Sequence, residues 1–99
     1  GIGSGWAVNG VAQTLKALTE GKVRTLLVSP SASMPGFRCA SGRLVLLEKE
    51  CRAEGPGVPV QDVIDDAIEE ALRQRVEVDV IHSEAGARID GLAALLRFK

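Results

Sequence analysis

The sequence predicts a mixed α/β domain, and a change of periodicity inside one stretch carries most of that expectation. In residues 60–81, VQDVIDDAIEEALRQRVEVDVI, the apolar positions Val60, Val63, Ile64, Ala67, Ile68, Ala71 and Leu72 recur every three or four residues. That is the spacing of a helix with one apolar face. The pattern then shortens to alternation: Val76, Val78 and Val80 interleave with Glu77, Asp79 and Ile81, as on a strand. A second helix-to-strand step precedes it. Val8, Val11, Ala12, Leu15 and Leu18 form a helical stripe, Gly21 stops it, and KVRTLLV at 22–28 reads as a buried strand. Helices feeding strands imply a helix layer lying on a sheet.

The intervening third is built differently. Residues 29–36, SPSASMPG, form a loop on composition. Phe37, Arg38 and Cys39 face residues 43–47 across Ala40, Ser41 and Gly42, as in a small hairpin or knuckle. Proline and glycine in AEGPGVP, 53–59, argue against regular structure. An inserted minidomain at about 30–59 is therefore expected within a single α/β domain spanning 6–99. GIGSG at 1–5 reads as a flexible linker or tag remnant. HSEAGAR at 82–88 reads as a loop with a short helical turn.

Composition narrows the function classes. The chain has 99 residues, enough for one modest core, and 45% are apolar, which excludes disorder. A formal net charge of −1 gives no global attraction to nucleic acid or anionic lipid. Trp6, Phe37 and Phe98 are the only aromatics, too few for a base-stacking platform. No apolar run approaches the roughly 20 residues that span a bilayer. With no signal-peptide pattern and two cysteines, the expected setting is the reducing cytoplasm, without a membrane partner.

Three stretches carry a resemblance: AVNGVAQTLKALTEGKVRTLLVS at 7–29, residues 60–81, and GLAALLRF at 91–98. Their order is similar to the third, C-terminal domain of the archaeal and eukaryotic class I peptide chain release factors, and to bacterial relatives of that family. The matching features are Gly21 before a strand and an insertion around Cys39 and Cys51. Ala71-Leu72-Arg73-Gln74 at a helix end and a closing Leu96-Arg97-Phe98 complete them. The resemblance implies a three-layer α/β/α sandwich of the kink-turn-binding ribosomal protein type, with a final strand near 92–98. It also implies a noncatalytic module in translation termination or ribosome rescue that docks a translational GTPase or another translation factor, with the ribosome as a further contact. Neither a cofactor nor a small-molecule substrate is expected. The Gly-Gly-Gln loop that hydrolyses peptidyl-tRNA in that family is absent from these 99 residues.

Many relatives carry two Cys-x-x-Cys pairs in the insertion. Here Gly42 and Glu54 stand where the second thiols would be. Cys39 and Cys51, with no histidine nearby, are a poor zinc set. The expectation is a degenerate, metal-free knuckle held by its hairpin and apolar contacts, with a Cys39–Cys51 disulfide arising only by oxidation.

Other candidate sites follow from charge placement. Asp62, Asp65, Asp66, Glu69 and Glu70 lie at helical spacings, with Arg73 able to pair with Glu69 at i,i+4. A solvated face is the simplest account, and Asp62 and Asp65 also suit a helix N-terminus. As an acidic docking ridge, the candidate set is Asp62, Asp65, Asp66, Glu69 and Arg73. Arg38, Arg43, Lys49 and Arg52 gather in the insertion and are candidates for RNA or ribosome contact. A free-standing RNA-binding module of the same fold is the alternative function. A small hydrolase is disfavoured, because His82 and Ser83 are adjacent without an oxyanion donor or nucleophile-elbow pattern.

Overall fold

A computed structural model describes residues 6–82, 84 and 88–98. The expected linker at 1–5 and most of the expected turn at 82–88 lie outside that set. The order of elements is β1 (Trp6–Asn9), α1 (Val11–Thr19), β2 (Val23–Val28), β3 (Gly36–Arg38), β4 (Leu44–Val45), a 3₁₀ segment (Glu48–Glu54), β5 (Val58–Val60), α2 (Val63–Arg73), β6 (Glu77–Val80) and β7 (Leu92–Leu96). The mixed α/β fold with its inserted sheet is as expected; among the described residues the helices form a single layer on one face of the larger sheet. Four strands form one sheet in the order β1-β7-β2-β6, and the insertion forms a second sheet, β4-β3-β5.

Both helices lie on the same face of the larger sheet. Strands β1 and β2 are each antiparallel to β7, hence parallel to one another, and β6 runs parallel to β2. The connections β1–α1–β2 and β2–α2–β6 step across the sheet in one direction, so right-handed crossovers put both helices on one side. The core agrees. Leu15 and Leu18 of α1 share a cluster with Ile64, Ala67 and Ala71 of α2 and with Leu26, Val28, Leu92 and Ala94 of the sheet. The alternate strand residues Thr25, Leu27, Ala93 and Leu95 fall on the other face, and Glu77 and Asp79 pair with Thr25 and Leu27 there.

The helices end alike. After α1, Lys22 N–H donates to Ala17 O and Gly21 N–H to Leu18 O; after α2, Val76 N–H donates to Ala71 O and Arg75 N–H to Leu72 O. These are Schellman closures needing a left-handed residue. Gly21, at φ 71°, supplies the first as the sequence predicts, whereas Arg75 adopts φ 63° in the second. No glycine marks that stop.

Three expectations change. Val8 belongs to strand β1, opposite Ala94, and not to the first helix. Gly10, at φ 118°, separates the two elements and α1 begins at Val11. Val60 belongs to β5, so α2 starts later, with Asp62 as its cap. And the proline-containing run Val58–Val60 does form a strand, because it pairs only with β3 and lies at the sheet edge, where the missing Pro59 N–H costs no ladder bond.

Strand β7 illustrates how context overrides propensity. LAALL reads equally well as helix, yet it lies between β1 and β2 with Leu92 and Ala94 fully buried. Pairing on both edges leaves no room for a helix, and the alanines let α1 approach closely.

Candidate interaction surfaces

Helix α2 presents the outward charges. Val63, Ile64, Ala67 and Ala71 are buried, so the opposite side, Asp65, Glu69, Leu72 and Arg73, faces solvent. Asp65 and Glu69 are one turn apart, and Leu72 and Arg73 continue the same face. The apolar stripe expected from the sequence included Leu72. The structure leaves it 61% exposed, because its position lies more than a quarter-turn from the centre of the buried arc.

The other two acidic residues of the proposed ridge turn inward. Asp62 caps α2: its Oδ1 accepts from Ile64 N–H at 3.1 Å and from Met34 N–H at 3.2 Å. Asp66 accepts from Arg38 Nη2 at 2.9 Å, tying α2 to β3 of the insertion. The expected Glu69–Arg73 pair is replaced by Glu70–Arg73, one residue closer in sequence. Glu70 also accepts from Gln74 Nε2 at 2.8 Å, so its carboxylate gathers the last turn of the helix.

The basic set of the insertion is divided in the same way. Arg43 donates from Nε to Glu54 Oε2 at 2.8 Å; its Nη2 lies 2.7 Å from the same oxygen as an ion pair and donates to Glu50 O. Ser41 donates its hydroxyl and backbone N–H to the same carboxylate. These hydrogen bonds, the Ser41 hydroxyl first and the Arg43 guanidinium next, hold the Glu54 carboxyl below its ordinary value. Arg38 and Arg43 are thus half-buried and engaged, while Lys49 and Arg52 stand exposed on the 3₁₀ segment.

Between the helices and the insertion runs a cleft of about 300 Å3, whose walls include Leu15 and Leu18 of α1, Arg38 and Leu44 of the insertion, and Arg73 and Gln74 of α2. It is the seam along which the insertion rests on the helices.

The cysteines require a correction. Cys39 and Cys51 are joined in a disulfide, with Cα atoms 5.2 Å apart and both residues almost fully buried. They are neither reduced thiols nor half of a zinc knuckle. The hairpin β3–β4 brings Cys39 beneath the 3₁₀ segment that carries Cys51, a proximity that a separation of 12 residues does not reveal. Among the described residues no group of three or more His, Cys, Asp or Glu side chains is placed to hold a metal ion. His82 is exposed, and its neighbour Ser83 lies outside the described residues. No helix described is long and apolar enough to cross a membrane.

Two signals were missed from sequence. Leu72 as an exposed apolar residue could have been found by placing the helix start at Asp62. Glu54 as the hub of the insertion could not, since it depends on the turn that brings Ser41 and Arg43 to it.

No protein-family model matches the chain, and no curated protein matches it. Among solved structures, it is similar to the C-terminal domain of a peptide chain release factor from Methanosarcina mazei. The TM-score is 0.63 at 19% identity, over 97% of this chain and 72% of that one. The fold of this chain is accordingly that of a release-factor C-terminal domain.

Proposed function

We propose that this chain is the noncatalytic interaction module of a release-factor-like translation protein. It acts in termination or ribosome rescue by docking a translational GTPase or the ribosome. The observation that carries this reading is the fold likeness, which extends over 97% of the chain. The order of matching sequence stretches supports it independently. Residues 6–99 act as one unit in the cytoplasm, with the insertion as an arm.

The docking surface in this reading is the outward face of α2. Asp65 and Glu69 supply exposed negative charge, Leu72 an apolar centre, and Arg73 the border. A basic partner surface with an apolar recess is the complement. Asp62 and Asp66 serve it indirectly, by capping the helix and by holding the arm. Any RNA or ribosome contact by the arm rests mainly on Lys49 and Arg52. Arg38 and Arg43 would have to leave Asp66 and Glu54 to reach a phosphate.

Charge reversal tests this. The double variant Asp65→Lys/Glu69→Lys changes two exposed residues and no intramolecular bond described above. Binding to translational GTPases and to ribosomes should weaken at least tenfold in titration and co-sedimentation. Unchanged affinity of the folded variant would remove the α2 face from the proposal. Binding of the wild type to structured RNA alone, steeply weakened by salt, would favour the RNA-binding alternative.

A further inference from the structure

We propose that Cys39 and Cys51 form a redox latch. Oxidised, they clamp the 3₁₀ segment onto the inserted hairpin; reduced by a dithiol, they let that hairpin and segment loosen while the four-stranded layer stays folded.

The insertion's own buried cluster consists of Cys39, Cys51 and Val45, with Phe37 packed against it, and is separate from the main core. The disulfide is therefore the centre of that cluster. Gly57 marks how tightly the chain wraps it: a Cβ there would lie 3.0 Å from Cys51 Sγ and 3.3 Å from Phe37 Cβ. Local backbone preference contributes little. The segment passes through Arg52 at φ 39°, Gly55 at φ 96° and four prolines, and its strands are two or three residues long. Leu44 ties β4 to the main core, but the side of the sheet that faces the 3₁₀ segment has only this small cluster, and so small a cluster depends on its cross-link.

The same disulfide fixes what the insertion touches. Cys39 follows Arg38, whose guanidinium holds Asp66 on α2, and it accepts Gly42 N–H across the hairpin turn that leads to Arg43. Freeing Cys39 loosens the end of β3 from which Arg38 reaches Asp66. By contrast, Leu26, Val63, Ala67 and Leu92 of the main core do not touch the sulfur cluster. Loss of the bond is thus centred on the hairpin and the 3₁₀ segment, with Leu44 still anchoring β4 to the main core.

The chemistry is thiol–disulfide exchange. One thiolate of the dithiol attacks a cysteine sulfur, forming a mixed disulfide and expelling the other cysteine as a thiolate, which takes up a proton. The second thiol of the reductant then displaces the remaining cysteine. The protein gains two electrons and two protons, and the dithiol leaves as a cyclic disulfide. Both cysteines are almost fully buried, so attack requires a local opening, which exposed Ala40, Gly42, Gly55 and Pro56 on the surrounding turns permit.

The test is amide hydrogen exchange on the whole chain, oxidised and after dithiothreitol, with alkylation to count thiols. Alkylation should label both cysteines only after reduction. Exchange at Phe37, Cys39, Gly42 and Val45 should then quicken at least tenfold, and at Leu26, Ala67 and Ala94 less than twofold. Reoxidation with oxidised glutathione should restore the slow rates, and C39S/C51S should match the reduced wild type. Three results would each overturn the latch: free thiols before reduction in the freshly purified chain, unchanged exchange in the insertion after it, or equal acceleration in both regions. C39S/C51S exchanging as slowly as the oxidised protein would do the same.

Discussion

The four-stranded layer and the inserted sheet are held by different means. The layer closes on aliphatic side chains: Leu18, Val23, Leu26, Val63 and Leu92 are essentially inaccessible to solvent. Each such side chain contributes about 1.5–3 kcal/mol relative to exposure. The inserted sheet has only a small cluster of its own, the disulfide with Val45; it lends Leu44 to the main core and relies on polar links: Arg43 and Ser41 to Glu54, Glu50 to Leu47 N–H, and Glu48 to Gly57 N–H. One region resists by excluding water, the other by a covalent closure and directional bonds at a half-exposed surface. Stability in the first should respond to volume; in the second it should respond to redox state and pH.

The comparison breaks most sharply in the core. Leu26→Ala removes a fully buried side chain between two paired strands, and its cavity should cost about 2–5 kcal/mol of global stability. Urea unfolding followed by both a core probe and an insertion probe should show the two regions falling together. If the insertion outlasts the core in that variant, its dependence on the helices is refuted.

Gly36 tests the joint. A Cβ there would approach Val45 O to 2.7 Å and Val63 Cβ to 2.9 Å, where β3, β4 and the start of α2 meet. Gly36→Ala should cost about 1–3 kcal/mol through overpacking. Its effect on exchange should be concentrated at Phe37, Val45 and Val63 rather than at Ala94. Stability equal to wild type would mean that the joint can yield.

The smallest effect concerns acid. Glu54 has a folded-state pKa below its ordinary value, so its contribution is fully present above that ordinary value. It is lost as pH falls through the lowered one. Between pH 6 and pH 3 the insertion should loosen more than the core in the wild type. Glu54→Gln should flatten that difference, read as exchange at Ser41 and Arg43 relative to Leu26. A variant with the wild-type pH profile would assign the loosening to another carboxylate.

Legibility from sequence followed the same divide. Helix α2, strand β2 and Gly21 as a stop were readable because burial on one face imposes a period, and a period survives in one dimension. Strand β1 was not. Its four residues share apolar spacing with the helix after it, and only Gly10, with its positive φ, separates them. The candidate site was half legible. Acidic spacing located the α2 face, but which carboxylates stay outside was settled by partners distant in sequence: Met34 for Asp62 and Arg38 for Asp66.

The residues alone determined the α/β class, the amphipathic character of α2 and the composition of the insertion, since each is a local consequence of side-chain pattern. Tertiary structure alone decided that the expected final strand, LAALL, sits centrally between β1 and β2, that Arg73 pairs with Glu70, and that Cys39 meets Cys51. Those outcomes depend on which segments close in space, and contact between distant positions leaves no period in the chain.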